Sequence, residues 1–309
     1  MATDGTNVVW IDPSQGVLEV PAAGGGATTN LSPMQYSSTV TPVSLAMGHG
    51  VVVWTTSDVS SNGSGVSLWV AQEGAANSNS GVQLVSLGTD SAGDLPSGLA
   101  LDATAANAYF IDTENNNGSP KHPGLYKCNL ANKSCAVLYS ASQPSSLLLA
   151  DDIAMLNSHL FWTDSLDGEV LHANYATNAM GTAVGQQGGP CLLTLDSTYV
   201  YWADVALTDA GTGPASFSIS RTSQATPGTV TPVVPTTSAS VGGMGSDGAH
   251  VYFIQRGAGQ VGLLKYVAAD GSAAPQSLKD AQQAYALAVG GGAVYWLNGD
   301  NTIDGIAAP

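Results

Sequence analysis

Leu160-Phe161-Trp162-Thr163-Asp164 returns 40 residues later as Val200-Tyr201-Trp202-Ala203-Asp204, and the reading of this pair decides the fold. Its core is a tripeptide of two hydrophobic or small residues and an aromatic. Five more copies are present: Val8-Val9-Trp10, Val52-Val53-Trp54, Ala108-Tyr109-Phe110, Val251-Tyr252-Phe253 and Val294-Tyr295-Trp296. The intervals between the last aromatics are 44, 56, 52, 40, 51 and 43 residues.

The surroundings repeat as well. Upstream sits a short run with small residues: Leu45-Ala46-Met47, Leu99-Ala100-Leu101, Ile153-Ala154-Met155, Leu193-Thr194-Leu195 and Leu287-Ala288-Val289. A turn with Asp or Gly follows (Gly48, Asp102, Asp196, Asp247, Gly290), so each pair reads as a hairpin. Downstream come two more alternating strands, such as Gly124-Leu125-Tyr126-Lys127 and Ala136-Val137-Leu138-Tyr139.

Such a unit, about 45 residues long, is the size of a four-stranded propeller blade. Slim side chains suit an innermost strand, and large rings on the second strand fill the wedge between blades. An isolated sheet leaves its faces wet, whereas a closed circle buries them and removes most edges. The expected fold is an all-β propeller, one domain over 1–309, with seven four-stranded blades. Six is the count if one terminal motif is incomplete. Residues 1–3 read as the stub of an inner strand, and the last unit reads as short of an outer one. No sustained 3.6-residue periodicity calls for helices.

The chain carries 7 Lys+Arg against 23 Asp+Glu, a net charge of −16. Such a surface repels polyanions, which argues against nucleic acid and anionic membrane and leaves cations, neutral sugars or a basic protein patch open. Solubility alone also accounts for it. No apolar run approaches the roughly 18 residues that span a bilayer, and Met1-Ala2-Thr3 does not open a signal peptide. Cys128 and Cys135 bracket a turn and can meet across a hairpin, which points to a secreted or periplasmic setting; two thiols are the alternative. Cys191 reads as a buried small hydrophobe.

Phe161-Trp162-Thr163-Asp164 and Tyr201-Trp202-Ala203-Asp204 resemble the repeat of YWTD-type propellers, the class found in low-density-lipoprotein receptors. Val9-Trp10-Ile11-Asp12 and Tyr109-Phe110-Ile111-Asp112 are looser copies, while Thr56, Gln255 and Asn298 replace the Asp elsewhere. Bacterial secreted propellers with degenerate repeats look closer still. The resemblance implies the fold and a habit of protein or ligand binding, and no catalytic residue; six blades are typical of the family, so seven departs from it.

Candidate sites follow from position. Asp12, Asp112, Asp164 and Asp204 stand two residues after the aromatic, where a carboxylate can accept N–H bonds from the next turn. A ring of metal ligands is the functional alternative. The loops between second and third strands share an end with the blade connections, where propellers usually bind. Those expected here run from Thr55 to Ser67, Asp112 to Pro123 and Ala203 to Phe217. Asp112, Glu114, Asn116, His122, Asp164 and Asp204 are the ligand-binding candidates. The oxygen-rich Thr113–Gly118 stretch suits calcium, or is simply a solvated turn. Asp164 and Asp167 are metal candidates, with an echo at Asp300 and Asp304; Asp-Gly is also a common turn. Repeat-equivalent His49, His159 and His250 read as structural.

No zinc spacing, nucleophile elbow or phosphate loop is present. The preferred function is an extracytoplasmic binding or scaffold propeller for a protein, glycan or small ligand. The alternative is a lactonase, lyase or hydrolase with an axial polar or metal-assisted site, drawn from Asp151, Asp152, Asp94, Asp90, Arg256 and Asp280. A module of a larger surface protein is the third reading.

Overall fold

The computed structural model describes all residues except 33–39, 61–62, 75–79, 91–94, 114–123, 141–149, 166, 176–178, 207–215, 258–261 and 282. The chain divides into two compact units, Met1–Ile153 and Ala154–Pro309. Seven antiparallel sheets follow one another along it, spanning residues 2–30, 40–90, 95–140, 150–184, 190–237, 240–280 and 286–307. They are called sheets 1 to 7. Each is a meander with its strands in chain order; six have four strands and sheet 7 has three. One sheet per tripeptide is the β-propeller class that the repeat predicts, with seven blades. The described residues contain no helix, and none long and apolar enough to cross a membrane.

The end expectations hold in detail. Ala2–Thr3 is a two-residue first strand whose Thr3 pairs with Val8, and sheet 7 stops after its third strand, Ile303–Ala307. Thr55 to Ser67, expected as a long loop, is mostly strand. Val51–Ser60 and Gly63–Gln72 stay paired as far as Ser60 and Gly63. Alternating Thr, Ser and Val there tolerate pleated backbone, so the polar composition hid a strand.

Every residue of the seven tripeptides is buried. The period of two sends alternate residues to opposite faces, and within a unit both faces are covered. In sheet 5, Val200 and Trp202 pack with Phe161 and Val170 of sheet 4, while Tyr201 packs with Val251 and Phe253 of sheet 6. Tyr252 and Ile254 turn the other way, onto Leu287, Val294 and Trp296 of sheet 7. In the first unit, Val9 joins Val52 and Trp54, and Val53 joins Phe110. Each such side chain contributes about 1.5–3 kcal/mol by leaving water.

The first strand slips register once against the second, beside the aromatic, in sheets 2, 3, 5 and 6. In sheet 3 this needs glycine: Gly98 has φ +56, and a Cβ would lie 2.8 Å from the backbone N of Ile153. Cys128 faces Cys135 across the strands Gly124–Asn129 and Ser134–Ser140, and the two form a disulfide. Cys191 carries no disulfide and is half-buried rather than buried. It sits at the slipped register of its sheet, next to Leu192 at φ +44, which turns it partly out of the core.

Candidate functional site

The hairpin turns before the aromatic strands are held by their aspartates. Asp196 accepts the N–H groups of Thr198 and Tyr199 on Oδ1, at 2.6 and 2.7 Å, and the Tyr201 hydroxyl on Oδ2 at 2.6 Å. Asp247 does the same for Ala249, His250 and the Tyr252 hydroxyl. Burial first, then the facing carboxylate, pushes both phenols far above the ordinary tyrosine range. In sheet 3, Asn107 replaces the tyrosine and donates Nδ2 to Asp102. These aspartates were legible as turn residues; their hold on the core ring was not. His159 and His250 are the first residues of their aromatic strands, His159 meeting Asn174 Nδ2 at 3.0 Å, while His49 lies in its turn at φ +52.

Opposite the middle residue of each tripeptide, the third strand varies. Its occupants are Glu19, Val70, Lys127, His172, Arg221, Tyr266 and Gly305. Two of them reach the third-to-fourth-strand turn of the next sheet. Glu19, 3% exposed, accepts the Gly74 N–H on both oxygens at 3.0 and 3.1 Å. Arg221 donates Nη1 to the Ala269 carbonyl at 2.8 Å and lies 4.0 Å over the Tyr199 ring. Sequence reading passed over both. The signal was a charge paired with an apolar core position, visible only once register is known.

The aspartates after the aromatic take different tasks. Asp12 is fully buried and accepts Ser14 N–H and Oγ–H, both at 2.7 Å, and Gln15 N–H at 2.9 Å. Burial pushes its pKa up, but these bonds outweigh it and hold the carboxyl below its ordinary range. Asp164, also buried, accepts the Asp167 N–H on Oδ1 at 3.1 Å, while Asp167 is exposed. Asp204 accepts Trp202 Nε1–H at 3.1 Å, and burial holds its pKa up against that bond. Asp112 is half-buried near the end of its strand, opposite Gly124. Glu114, Asn116 and His122 lie outside the described residues, as does Asp94. Asp90 and Asp151 are strand residues, and Asp152 Oδ1 accepts the Ile153 N–H. Arg256 gives Nε and Nη2 to the Ala284 carbonyl, at 2.9 and 2.6 Å. Among the described residues no three His, Cys, Asp or Glu side chains are grouped to hold a metal ion.

Among the described residues of the second unit, two clefts stand at opposite ends of its strands. One, about 320 Å³, lies beside Arg221, Tyr199 and the turns at Asp196 and Asp270. The other, about 470 Å³, lies at the end that carries second-to-third-strand turns and sheet connections. Its wall includes Asp280, Gln283, Trp296, Asn298, Asp300 and Asp304. The Asn298–Thr302 turn builds it: Asn298 N–H donates to the Thr302 carbonyl, and Asn298 Nδ2 to Thr302 Oγ1 and Asp304 Oδ2 at 3.1 and 3.0 Å. Thr302 hydroxyl and N–H hold Asp300 below the ordinary carboxylate range. Trp296 is 1% exposed and its indole N–H is unpartnered. Trp10 and Trp162 share that unpartnered N–H, but of the three only Trp296 lines either cleft. The sequence flagged Asp300 and Asp304 as one pair and Asp280 apart from them; the fold brings all three to one cleft.

The sequence matches no family profile and no curated protein. Solved structures are similar to it. The WD40 repeats of RRP9 superpose with a TM-score of 0.63 at 11% identity, covering 94% of this chain and 83% of that one. BamB from Moraxella catarrhalis gives 0.54 at 13% identity, with 98% and 82% covered. A nidogen/laminin complex gives 0.54 at 13% identity, with 85% and 88% covered. The chain has the β-propeller fold. WD40 repeats are built as four-stranded propeller blades, and the likeness carries that architecture. At these identities it extends to fold alone, so the YWTD-type resemblance stands as a likeness of repeat and blade.

Proposed function

We propose that this propeller is an extracytoplasmic binding protein that takes its ligand at the end of the sheets carrying the second-to-third-strand turns. The observation that carries the reading is the 470 Å³ cleft of sheets 6 and 7, a concave polar site at that end with a deep-set tryptophan. The Cys128–Cys135 disulfide supports an oxidising compartment. Arg256, one of the acid–base candidates, is engaged with a main-chain carbonyl, which supports binding over turnover. The ligand classes are protein, glycan and small molecule.

The test compares wild type with Thr302→Arg, which fills the cleft from an exposed turn. A panel of peptides, oligosaccharides and small molecules is screened for binding, and lactone, ester and glycoside substrates for turnover. The expected result is at least one ligand held by wild type and lost by a normally folded variant, with no turnover. Turnover by the wild type, or ligands indifferent to the variant, overturns the reading.

A further inference from the structure

We propose that the open edge of sheet 7 takes a fourth strand from a partner protein, an extended, uncharged segment rich in β-branched residues. This edge stands apart from the cleft, whose wall shares only Asp304 with the strand. Sheet 7 has three strands where the other six have four, so its third strand, Ile303–Ala307, is the edge. Asn298 N–H donates to the Thr302 carbonyl and Ala308 N–H to the Gly292 carbonyl. Both bonds are in register with Trp296 opposite Asp304 and Val294 opposite Ile306. Antiparallel pairing alternates, so residues 302, 304, 306 and 308 direct their main-chain groups to the second strand. Ile303, Gly305 and Ala307 therefore turn their N–H and C=O groups outward. None of those groups has a partner among the described residues. Asp304, Gly305 and Ala307 are exposed, which leaves the row open to solvent.

The six other sheets show what covers such a row. Opposite the residue after the aromatic they carry Val17, Leu68, Leu125, Val170, Ile219 and Leu264, each 0% exposed. A fourth strand flanks each of them. It sets Val85 beside Leu68, Tyr139 beside Leu125, Val184 beside Val170 and Val234 beside Ile219. Sheet 6 sets Lys279 there. Even in sheet 1, whose fourth strand is two residues long, Val17 N–H donates to Ser32 Oγ and its carbonyl accepts the Leu31 N–H. Ile303 is the seventh of these positions, and it is only half-buried. Water solvates the edge of the free protein, and an added strand exchanges that water for main-chain bonds. The counterparts give the occupant its chemistry: β-branched or aromatic side chains, and no acid. With a net charge of −16 and Asp304 on the strand, an acidic segment is repelled, as is the same edge of a second copy.

The experiment offers the whole chain two blocked peptides that copy its own fourth strands and reads amide exchange residue by residue. One peptide is residues 179–184, the other residues 134–140 carrying Cys135→Ser. Saturable binding is expected, with the Ile303, Gly305 and Ala307 amides slowed about tenfold or more while Ile306, already bonded inward, changes little. A fully N-methylated copy cannot donate and should not bind. Ala307→Pro removes one outward donor and no bond to the second strand, and should weaken binding about tenfold. If circular dichroism shows that variant misfolded, the methylated peptide decides. Absence of protection at millimolar peptide, protection elsewhere alone, or equal binding of the methylated copy overturns the proposal. So does a wild-type dimer that protects the same three amides, since a second copy then fills the edge.

Discussion

Sheet 1 and sheet 5 place opposite charges in the same repeat position. Glu19 faces Val9, and Arg221 faces Tyr201. Each side chain then reaches the third-to-fourth-strand turn of the next sheet, Glu19 to an N–H and Arg221 to carbonyls. Main chain offers both polarities at a turn, so either charge can be satisfied there. The surroundings differ. Arg221 is compensated by two carbonyls and the Tyr199 face. Glu19 shares its corner with Asp4 and Glu73, the latter accepting Asn7 Nδ2 at 2.8 Å. Burial first, then Asp4, holds Glu19 above its ordinary value, and burial also lifts Glu73. A repeat can thus dictate where one sheet is tied to the next while leaving the charge of the tie, and its response to pH, to each copy.

The shared frame can be broken first. Trp54→Ala and Trp202→Ala each remove a fully buried ring, and both should cost about 3–5 kcal/mol in denaturant unfolding. Unequal costs would mean that the two units do not rely on their rings alike. Arg221→Ala leaves two carbonyls and a ring face without their partner and should cost about 2–3 kcal/mol, Arg221→Lys less. Glu19→Ala removes the buried carboxylate that accepts the Gly74 N–H and should cost about 1–3 kcal/mol. Glu19→Gln keeps an acceptor and should stay within about 1 kcal/mol of wild type at pH 7.

The pH profile sharpens the contrast. A carboxyl held above its ordinary value binds extra protons in the folded state. The stability from Glu19 and Glu73 is therefore full below the ordinary value of 4.5 and is lost as pH rises through their raised values. Asp4, held below 3.8 by the Thr6 and Asn7 N–H groups against burial, contributes above that pH and fades below it. Melting temperatures of wild type relative to Glu19→Gln should rise as pH falls from 7 towards 4.5; a flat difference would remove the tie's pH response. The smallest effect is expected at the turn latches. Tyr201→Phe and Tyr252→Phe should each cost about 1 kcal/mol, and equally, since both release one bond to an aspartate.

The blades were legible because burial on two faces leaves a strong mark. Ala108-Tyr109-Phe110 and its six counterparts had to be apolar throughout, and the slim residues beside them had to pair next. Even the stub at Ala2–Thr3 and the missing strand of sheet 7 showed in the spacing. The candidate site was legible only in pieces. Asp300 and Asp304 appeared as a weak echo of Asp164 and Asp167, and Asp280 as a strand-end acid. Nothing in their spacing tied them to Trp296.

Composition and period alone determined an acidic, all-β repeat chain of six or seven sheets, because a side chain's burial depends on its place in a strand and that place recurs; the fold made it seven. Which charge ties sheet to sheet, and which three acids share a cleft, was decided by the folded chain. Those relations join residues whose distance in sequence bears no relation to their distance in space, and only cross-strand register and sheet packing bring them within reach of one another.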